Sequence, residues 1–263
     1  MTGRAMYNLK FKMTGLLAGI LLVLNLAACG ESEQSADQKT TLILATSGDN
    51  PPFEFHDTSD GKDEIVGADI DLAHALADEL GVRLEIKDMD FNSLIPALQA
   101  HRADFVMALM TPTEERKRNV SFSDSYFIAR LAVVTLKNKT INHEESLESK
   151  KIGVQLGSNN ERVAKKLANK IKDLNIISLN KLGELIQEVR TGRIDGVLVE
   201  ATPAKAYVEA HEDLDYRLLE EHQSNFAVAF PKNSPWIERF NEALKKLKSR
   251  GKLEEIMRKW LKE

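Results

Sequence analysis

The chain has 263 residues, of which 43% are apolar and 29% are charged, and its formal net charge is −4. This composition is typical of a globular protein with enough apolar residues for two lobes, and its acidic balance argues against a nucleic-acid partner. Six scattered histidines and one cysteine, with no paired metal-binding motif, argue against a transition-metal site, and no motif indicates a cofactor.

The first 28 residues have the composition of an export signal. Three basic residues precede an apolar run over 13–26, which is shorter than the roughly 20 residues that a membrane span needs. The sequence Leu26-Ala27-Ala28-Cys29 is similar to a bacterial lipobox, in which cleavage precedes a cysteine that then carries lipid. We therefore expect a signal peptide over 1–28, a lipidated Cys29 and a polar, flexible tether over 29–40; a plain signal peptide is the alternative.

Strand and helix patterns alternate over residues 41–109, which predicts an α/β fold with a largely parallel sheet. Asp69 is predicted to cap the first helix, and Asp104 to Leu109 is predicted to be a strand. In such sheets ligands bind beyond the carboxyl ends of the strands. That places residues 47–50, Phe91 and Thr111 at a candidate ligand site.

The stretch from Met110 to Tyr126 carries the most informative local chemistry. Thr113 suits a helix N-cap, and Arg116 follows one turn later, near free backbone N–H groups. A guanidinium is a planar fork that pairs bidentately with a carboxylate, so this helix start suits a small carboxylate ligand. A solvated surface helix is the alternative on local grounds.

The second half repeats the alternation between two apolar runs, Ile128 to Leu136 and Phe226 to Phe230, which predict two crossings between lobes. Ser158 and Glu161 form a capping box, and the free N–H groups of that helix start favour an anion. Asn180 is predicted to cap a later helix. Glu200 ends a predicted strand, where a carboxylate can bind a cationic group.

Several motifs in this order resemble the polar-amino-acid class of periplasmic solute-binding proteins, which supply ABC importers. They are Pro52-Phe53-Glu54-Phe55, Gly67-Ala68-Asp69-Ile70-Asp71-Leu72, Phe91-Asn92-Ser93-Leu94, Thr111 with Arg116 and Phe122-Ser123-Asp124-Ser125-Tyr126, and Gly153-Val154-Gln155-Leu156-Gly157-Ser158. The resemblance runs from about Thr41 to the end. It implies a two-lobe α/β fold of type II, each lobe a mostly parallel sheet flanked by helices, with two hinge strands. The implied lobes are 41–128 with 226–263, and 129–225.

The resemblance also implies roles for individual residues. Arg116 and Thr111, with backbone N–H groups near Ser158 and Asn159, are expected to hold an α-carboxylate. Glu200, with the Leu109 carbonyl, is expected to hold an α-ammonium. The side-chain end of the ligand is then expected to be lined by Asp49, Phe91 and Gln155, and Asn50 is a further expected ligand-binding residue.

The sequence departs from the family where ligand identity is decided. Asn50 stands where an aromatic is common, Ser47 where members that bind basic ligands often have Asp, and Leu109 where many members have Gly or Ser. The motif set nevertheless looks most like arginine-binding members, and Asp49 favours a cationic tip. We expect arginine first, then lysine or histidine, then glutamine.

These features predict a monomeric, extracytoplasmic lipoprotein that captures a free L-amino acid and delivers it to an ABC permease with its ATPase subunit. The resemblance leaves two alternatives. One is an enzyme like cyclohexadienyl or arogenate dehydratase on the same fold. The other is a ligand sensor for a separate membrane receptor.

Overall fold

The computed structural model describes residues 39–139, 141 and 143–261. The predicted signal peptide, Cys29 and nearly all of the predicted tether lie outside the described residues, so these interpretations stay predictions. None of the helices in the described part of the chain is both long and apolar enough to cross a membrane.

The described residues form strands and helices in alternation. The strands are β1 Thr41–Thr46, β2 Asp49–Asn50, β3 Glu54–Asp57, β4 Glu64–Val66, β5 Arg83–Asp88, β6 Phe105–Val106, β7 Val120–Leu136, β8 Lys151–Gln155, β9 Asn175–Leu179, β10 Gly196–Glu200 and β11 Leu214–Pro231. The α-helices are α1 Ala68–Leu80, α2 Leu94–Gln99, α3 Glu114–Asn119, α4 Asn159–Ala168, α5 Leu182–Arg190, α6 Ala201–Ala210, α7 Trp236–Ser249 and α8 Lys252–Leu261.

Eight strands form one mixed sheet in the order β5-β1-β6-β11-β7-β10-β8-β9. At one end β1 is parallel to β5 and β6, and at the other β8 is parallel to β9 and β10. Helices cover both faces, which explains why β1 and β10 read as nearly continuous apolar runs. The short strands β2, β3 and β4 form a separate antiparallel sheet.

The antiparallel pair β7 and β11 connects the two ends of the large sheet. Residues 120–127 pair with 226–231, and residues 131–136 pair with 214–219, with a register shift between Leu219 and Gln223. The strands extend well beyond the apolar runs from which they were predicted, because pairing with each other sustains their polar parts. Ile128 lies close to this register shift and is 58% exposed.

The apolar core divides at the same place. Two clusters take residues only from 42–129 and 226–261, and the other two take residues only from 131–219. This is the predicted α/β architecture with two lobes. We propose that the lobe boundaries are those the sequence predicts, and we call residues 41–128 with 226–261 the first lobe and 129–225 the second.

The start of α1 corrects one prediction. Asp69 does not cap the helix: Gly67 is the N-cap, at φ 133°, and Asp69 is fully buried in the first turn. The backbone N–H groups of Ala68 and Asp69 donate to the carbonyls of Pro52 and Phe53, at 3.0 and 2.9 Å. Neighbouring backbone thus caps the helix and frees the Asp69 side chain for another role.

Two further predictions differ from the structure. Lys181, not Asn180, precedes the first residue of α5. The strand predicted to reach Leu109 ends at Val106, and Leu109 has φ 44°, which a strand cannot accommodate. The chain leaves the sheet here and turns toward Asp69.

We expect Gly67→Ala to lower the free energy of unfolding by about 2–4 kcal/mol. A Cβ at Gly67 would lie 2.1 Å from the Phe53 carbonyl oxygen, and the backbone conformation is one that only glycine adopts readily. Gly81→Ala, at the other end of α1, is the control: it has φ 68° and open space, so we expect a cost of about 1 kcal/mol. Urea unfolding measures both, and equal costs would contradict the close approach at Gly67.

Candidate functional site

The candidate residues meet in a cleft between the lobes, at the carboxyl ends of β1, β6, β8 and β10. Cross-cleft contacts show that both sides are close. The Arg116 guanidinium reaches Gly157 of the second lobe, and the Asp49 carboxylate reaches Gln155 and Leu182. The topology therefore brings together residues that are far apart in the chain, such as Asp49 and Leu182, which are 133 positions apart.

Arg116 is 8% exposed and is fixed by backbone groups from both lobes. Its Nη1 donates to the Thr111 carbonyl at 2.8 Å, and its Nη2 donates to the Gly157 carbonyl at 3.0 Å. The Thr113 hydroxyl accepts from the Arg116 N–H at 3.3 Å, which confirms the predicted N-cap. The Phe91 ring packs 5.3 Å from the guanidinium carbon, so Phe91 supports Arg116 and joins the local core.

Arg116 stays a cation at neutral pH. Burial lowers its pKa to about 10, with a further contribution from the Arg162 charge, while Glu115 and Glu200 act in the opposite direction. A buried cation is costly unless a negative group compensates it. The environment of Arg116 therefore favours an anionic group in the cleft.

The start of α4 supplies the second part of this anion site. The Ser158 hydroxyl accepts from the Glu161 N–H at 3.0 Å, which confirms Ser158 as the N-cap. The other half of the predicted capping box is not formed, because the Glu161 carboxylate accepts from the Gly157 N–H, at 2.8 Å, and not from the Ser158 N–H. The Ser158 N–H itself donates to the Gln155 carbonyl at 3.1 Å. The donors that the helix start offers to an anion are therefore the N–H groups that follow Ser158.

The Asn159 side chain forms hydrogen bonds with other residues of the second lobe. Its Nδ2 donates to the Ser224 hydroxyl at 3.2 Å, and its Oδ1 accepts from Arg162 Nη2 at 2.6 Å. Asn159 can therefore offer the cleft its backbone, as predicted, rather than its amide side chain.

Glu200 and Asn160 form an acceptor pair at the end of β10. Glu200 is 8% exposed, and its two carboxylate oxygens accept from Asn160 Nδ2 at 3.2 and 3.1 Å. Burial raises the pKa of Glu200, and hydrogen bonds and the Arg116 charge oppose that rise. Asn160 Oδ1 is buried and, among the described residues, has no donor within reach. The pair suits a cation with several N–H groups, such as an ammonium.

The sequence drew attention to Asn160 only as part of the capping box. Its position in the first turn of α4, two residues after the N-cap and facing a strand end, is the signal that could have identified it. Tyr207 was also missed: its hydroxyl donates to the Asp49 carbonyl at 3.0 Å.

Asp49 joins the two lobes. Its carboxylate accepts from the Leu182 N–H at 2.7 Å, from Gln155 Nε2 at 3.1 Å and from the Ser47 hydroxyl at 2.9 Å. Burial raises its pKa, and the bond from Leu182 is the largest opposing contribution. These donors use most of the hydrogen-bond acceptor positions of the carboxylate, and two of the donors come from the second lobe.

Asn50 and Leu109 complete the wall on the first lobe. Asn50 Nδ2 donates to Glu54 at 3.2 Å, while its buried Oδ1 has no donor in the part of the chain that the structure describes. The Leu109 N–H donates to the Asp69 carboxylate at 3.3 Å, which holds the left-handed backbone of Leu109. Glycine adopts such a positive φ more readily than leucine does, so Leu109 needs this support.

A cavity of about 530 Å³ opens between α3 and α4, beside Arg116. Its wall carries more basic than acidic residues: Arg116, Arg162, Lys165 and Lys166 against Glu115 and Glu161. The positive charge at this opening favours the approach of an anionic group toward Arg116.

Known proteins resemble this chain in sequence over almost its whole described length. The sequence profile of the bacterial extracellular solute-binding proteins, family 3, matches residues 42–263. The arginine-binding extracellular protein ArtP of Bacillus subtilis (strain 168) is 37% identical over 249 residues, which cover 93% of this chain and 96% of that protein.

Solved structures show the same fold. The amino acid ABC transporter substrate-binding protein AbpA from Streptococcus pneumoniae Canada MDR_19A, bound to L-arginine, has a TM-score of 0.79 and 34% identity, covering 84% of this chain and 94% of its own. An ancestral arginine-binding protein bound to arginine has a TM-score of 0.78 and 40% identity, with coverages of 84% and 98%. The ancestral amino-acid-binding protein AncCDT-1, a precursor of cyclohexadienyl dehydratase, has a TM-score of 0.76 and 34% identity, with coverages of 84% and 95%.

Proposed function

Because the chain belongs to family 3 of the bacterial extracellular solute-binding proteins, we propose that it captures a free L-amino acid, with arginine as the leading ligand, and delivers it to an ABC importer. The family match covers almost all of the described residues, and the similar proteins reported above are binding proteins. Capture rather than catalysis is therefore the favoured activity. The similarity to AncCDT-1 is likewise to an amino-acid-binding protein.

One observation carries this proposal: two opposite charges are buried on opposite sides of the cleft. Arg116 belongs to the first lobe and Glu200 to the second, and no ion pair within 4.0 Å joins them in the described residues. An α-amino acid carries a carboxylate and an ammonium on adjacent atoms, so it compensates both charges at once. Asn160 Oδ1 then accepts a third ammonium N–H.

The choice of arginine depends on acceptors at the other end of the cleft. Asn50 Oδ1 is a buried acceptor, and a guanidinium has five N–H donors in a fixed plane. Among the described residues, the buried carboxyl groups Asp69 and Glu200 also outnumber the one buried guanidinium, Arg116. A ligand with a cationic side chain reduces this excess of negative charge, which ranks arginine ahead of glutamine.

Binding and closure are coupled in this proposal. The carboxylate and the ammonium of the ligand contact both lobes, so ligand binding favours the closed arrangement of the lobes. The register shift along the β7–β11 pair, between Leu219 and Gln223, supplies the hinge. We propose that a monomer in the closed state engages the permease, which works with its ATPase subunit.

Arg116→Ala should abolish useful arginine binding, because removing one partner of a buried charge pair costs about 2–5 kcal/mol. A thermal-shift screen of the twenty L-amino acids should show the largest rise with arginine for the wild type and no rise for the variant. Calorimetry then measures the loss, with Arg162→Ala as a matched control that removes a neighbouring guanidinium. Unchanged affinity of a folded Arg116→Ala protein would remove Arg116 from the site.

Asp49→Asn should weaken arginine and glutamine to a similar extent, by about 1–2 kcal/mol, because its carboxylate bonds reach Leu182 and Gln155 across the cleft. Ser47→Ala removes a bond to the same carboxylate within the first lobe, so we expect a smaller effect. Calorimetry with arginine and with glutamine measures the loss of affinity for each ligand. A loss confined to arginine would show that Asp49 contacts the cationic tip, as the sequence first indicated.

We also propose that Cys29 carries lipid and anchors the protein to the outer face of a bacterial membrane. The support is the lipobox and the presence of a single cysteine in the whole chain. Cys29→Ser should leave the protein unlipidated, so detergent-phase partitioning should recover it in the aqueous phase or as precursor. A variant that still carries lipid at its mature N-terminus would rule out this anchor.

A further inference from the structure

Two buried carboxyl groups lie beneath the cleft and have no part in the ligand contacts described above. Glu54 is 1% exposed and Asp69 is fully buried. The close approach of residues 52–54 to the start of α1 brings them together, through the bond from the Asp69 N–H to the Phe53 carbonyl. Gly67 permits this approach because it has no Cβ atom, which at this position would clash with the Phe53 carbonyl.

The hydrogen bonds of the pair leave two oxygen atoms unmatched. Asp69 Oδ2 accepts from the Tyr126 hydroxyl at 2.7 Å and from the Leu109 N–H at 3.3 Å. Glu54 Oε1 accepts from Asn50 Nδ2 at 3.2 Å. Asp69 Oδ1 and Glu54 Oε2 are buried, and no N–H or O–H donor of the described residues reaches either atom. Because the two carboxyl groups contact each other, one proton between them satisfies both atoms.

We propose that Glu54 and Asp69 share one proton and together act as positioning residues, holding the Asn50 and Leu109 segments of the ligand cleft in their binding geometry. This inference rests on the proposed function, since it concerns how the same cleft is held ready for an amino acid. Glu54 is the partner that carries the proton, and Asp69 is the ionised acceptor.

The surroundings of the two groups decide where the proton resides. Asp69 receives an O–H and an N–H donor, which favour its ionised form. Glu54 receives one amide donor and also faces the charges of Asp69, Asp49 and Glu200, which favour its neutral form. Burial is the largest cause of a raised pKa in both groups, and it brings the pKa of Asp69 to about 7. Tyr126 stays a neutral donor, because burial and Asp69 raise its pKa.

The shared proton matters for the cleft because the two groups hold different segments. Asp69 binds the N–H of Leu109, whose left-handed backbone needs such support, and Glu54 binds the amide of Asn50. Losing the proton would place two adjacent negative charges in a buried site. Both segments would then loosen, and ligand affinity would fall.

The pH dependence has a defined sign. The folded protein holds this proton more tightly than the unfolded chain, so its stabilising effect is complete at low pH. The effect is lost as pH rises from the ordinary carboxyl pKa, 4.5 for Glu54, through the raised pKa of the folded state. Glu54→Gln supplies a permanent N–H donor of the same shape and has no proton to lose.

The test compares wild type with Glu54→Gln and Asp69→Asn between pH 5 and 8.5. Without ligand, the unfolding equilibrium constant of the wild type should rise by up to about tenfold per pH unit relative to Glu54→Gln, up to the raised pKa. For arginine, Glu54→Gln should match the wild-type Kd at pH 6 and bind more tightly than wild type at pH 8.5. Asp69→Asn should bind more weakly at every pH, because a neutral amide is a poorer acceptor for Leu109 and Tyr126.

A Glu54→Gln protein that keeps the wild-type pH profile would overturn the proposal, as would an Asp69→Asn protein with wild-type affinity. If neither variant folds, infrared spectroscopy of ligand-free wild type at pH 6 decides, because a buried protonated carboxyl group gives its own carbonyl band. Absence of that band would also overturn it. The stability and infrared measurements need no ligand, so failure of arginine to bind would contradict the proposed function and leave the shared proton standing.

Discussion

The structure depends on keeping two opposite charges, Arg116 and Glu200, buried and apart on opposite sides of one cleft. A buried charge without a partner of opposite sign is costly in an apolar protein interior. Both charges are therefore surrounded by polar groups that lower this cost. Carbonyls of Thr111 and Gly157 hold the guanidinium, and the Asn160 amide holds the carboxylate. In the proposed function, a zwitterionic amino acid compensates both charges.

The long strands β7 and β11 connect the two lobes and form the proposed hinge between them. Because β7 and β11 run through both lobes as one antiparallel pair, with a register shift between Leu219 and Gln223, the lobes share a sheet but have separate apolar clusters. The contacts that cross the cleft include those of Asp49 with Leu182 and of Arg116 with Gly157. A hinge of this kind lets a small ligand control a large relative movement of the lobes.

Features that depend on residues close in the chain were predictable from the sequence. The caps Thr113 and Ser158 and the position of Glu200 at a strand end follow from local patterns, and the structure contains all three. The role of Asp69 was not predictable, because its partners Leu109 and Tyr126 lie 40 and 57 positions away. A local pattern cannot distinguish a capping carboxylate from one that is buried to hold a distant loop.

The account is tested most directly by a crystal structure of the protein grown with arginine. It predicts the ligand carboxylate on Arg116 and the first turn of α4, the ammonium between Glu200 and Asn160 Oδ1, and the guanidinium toward Asn50. Arginine bound in the reverse orientation, or outside the cleft while Arg116 and Glu200 pair with each other, would contradict the account.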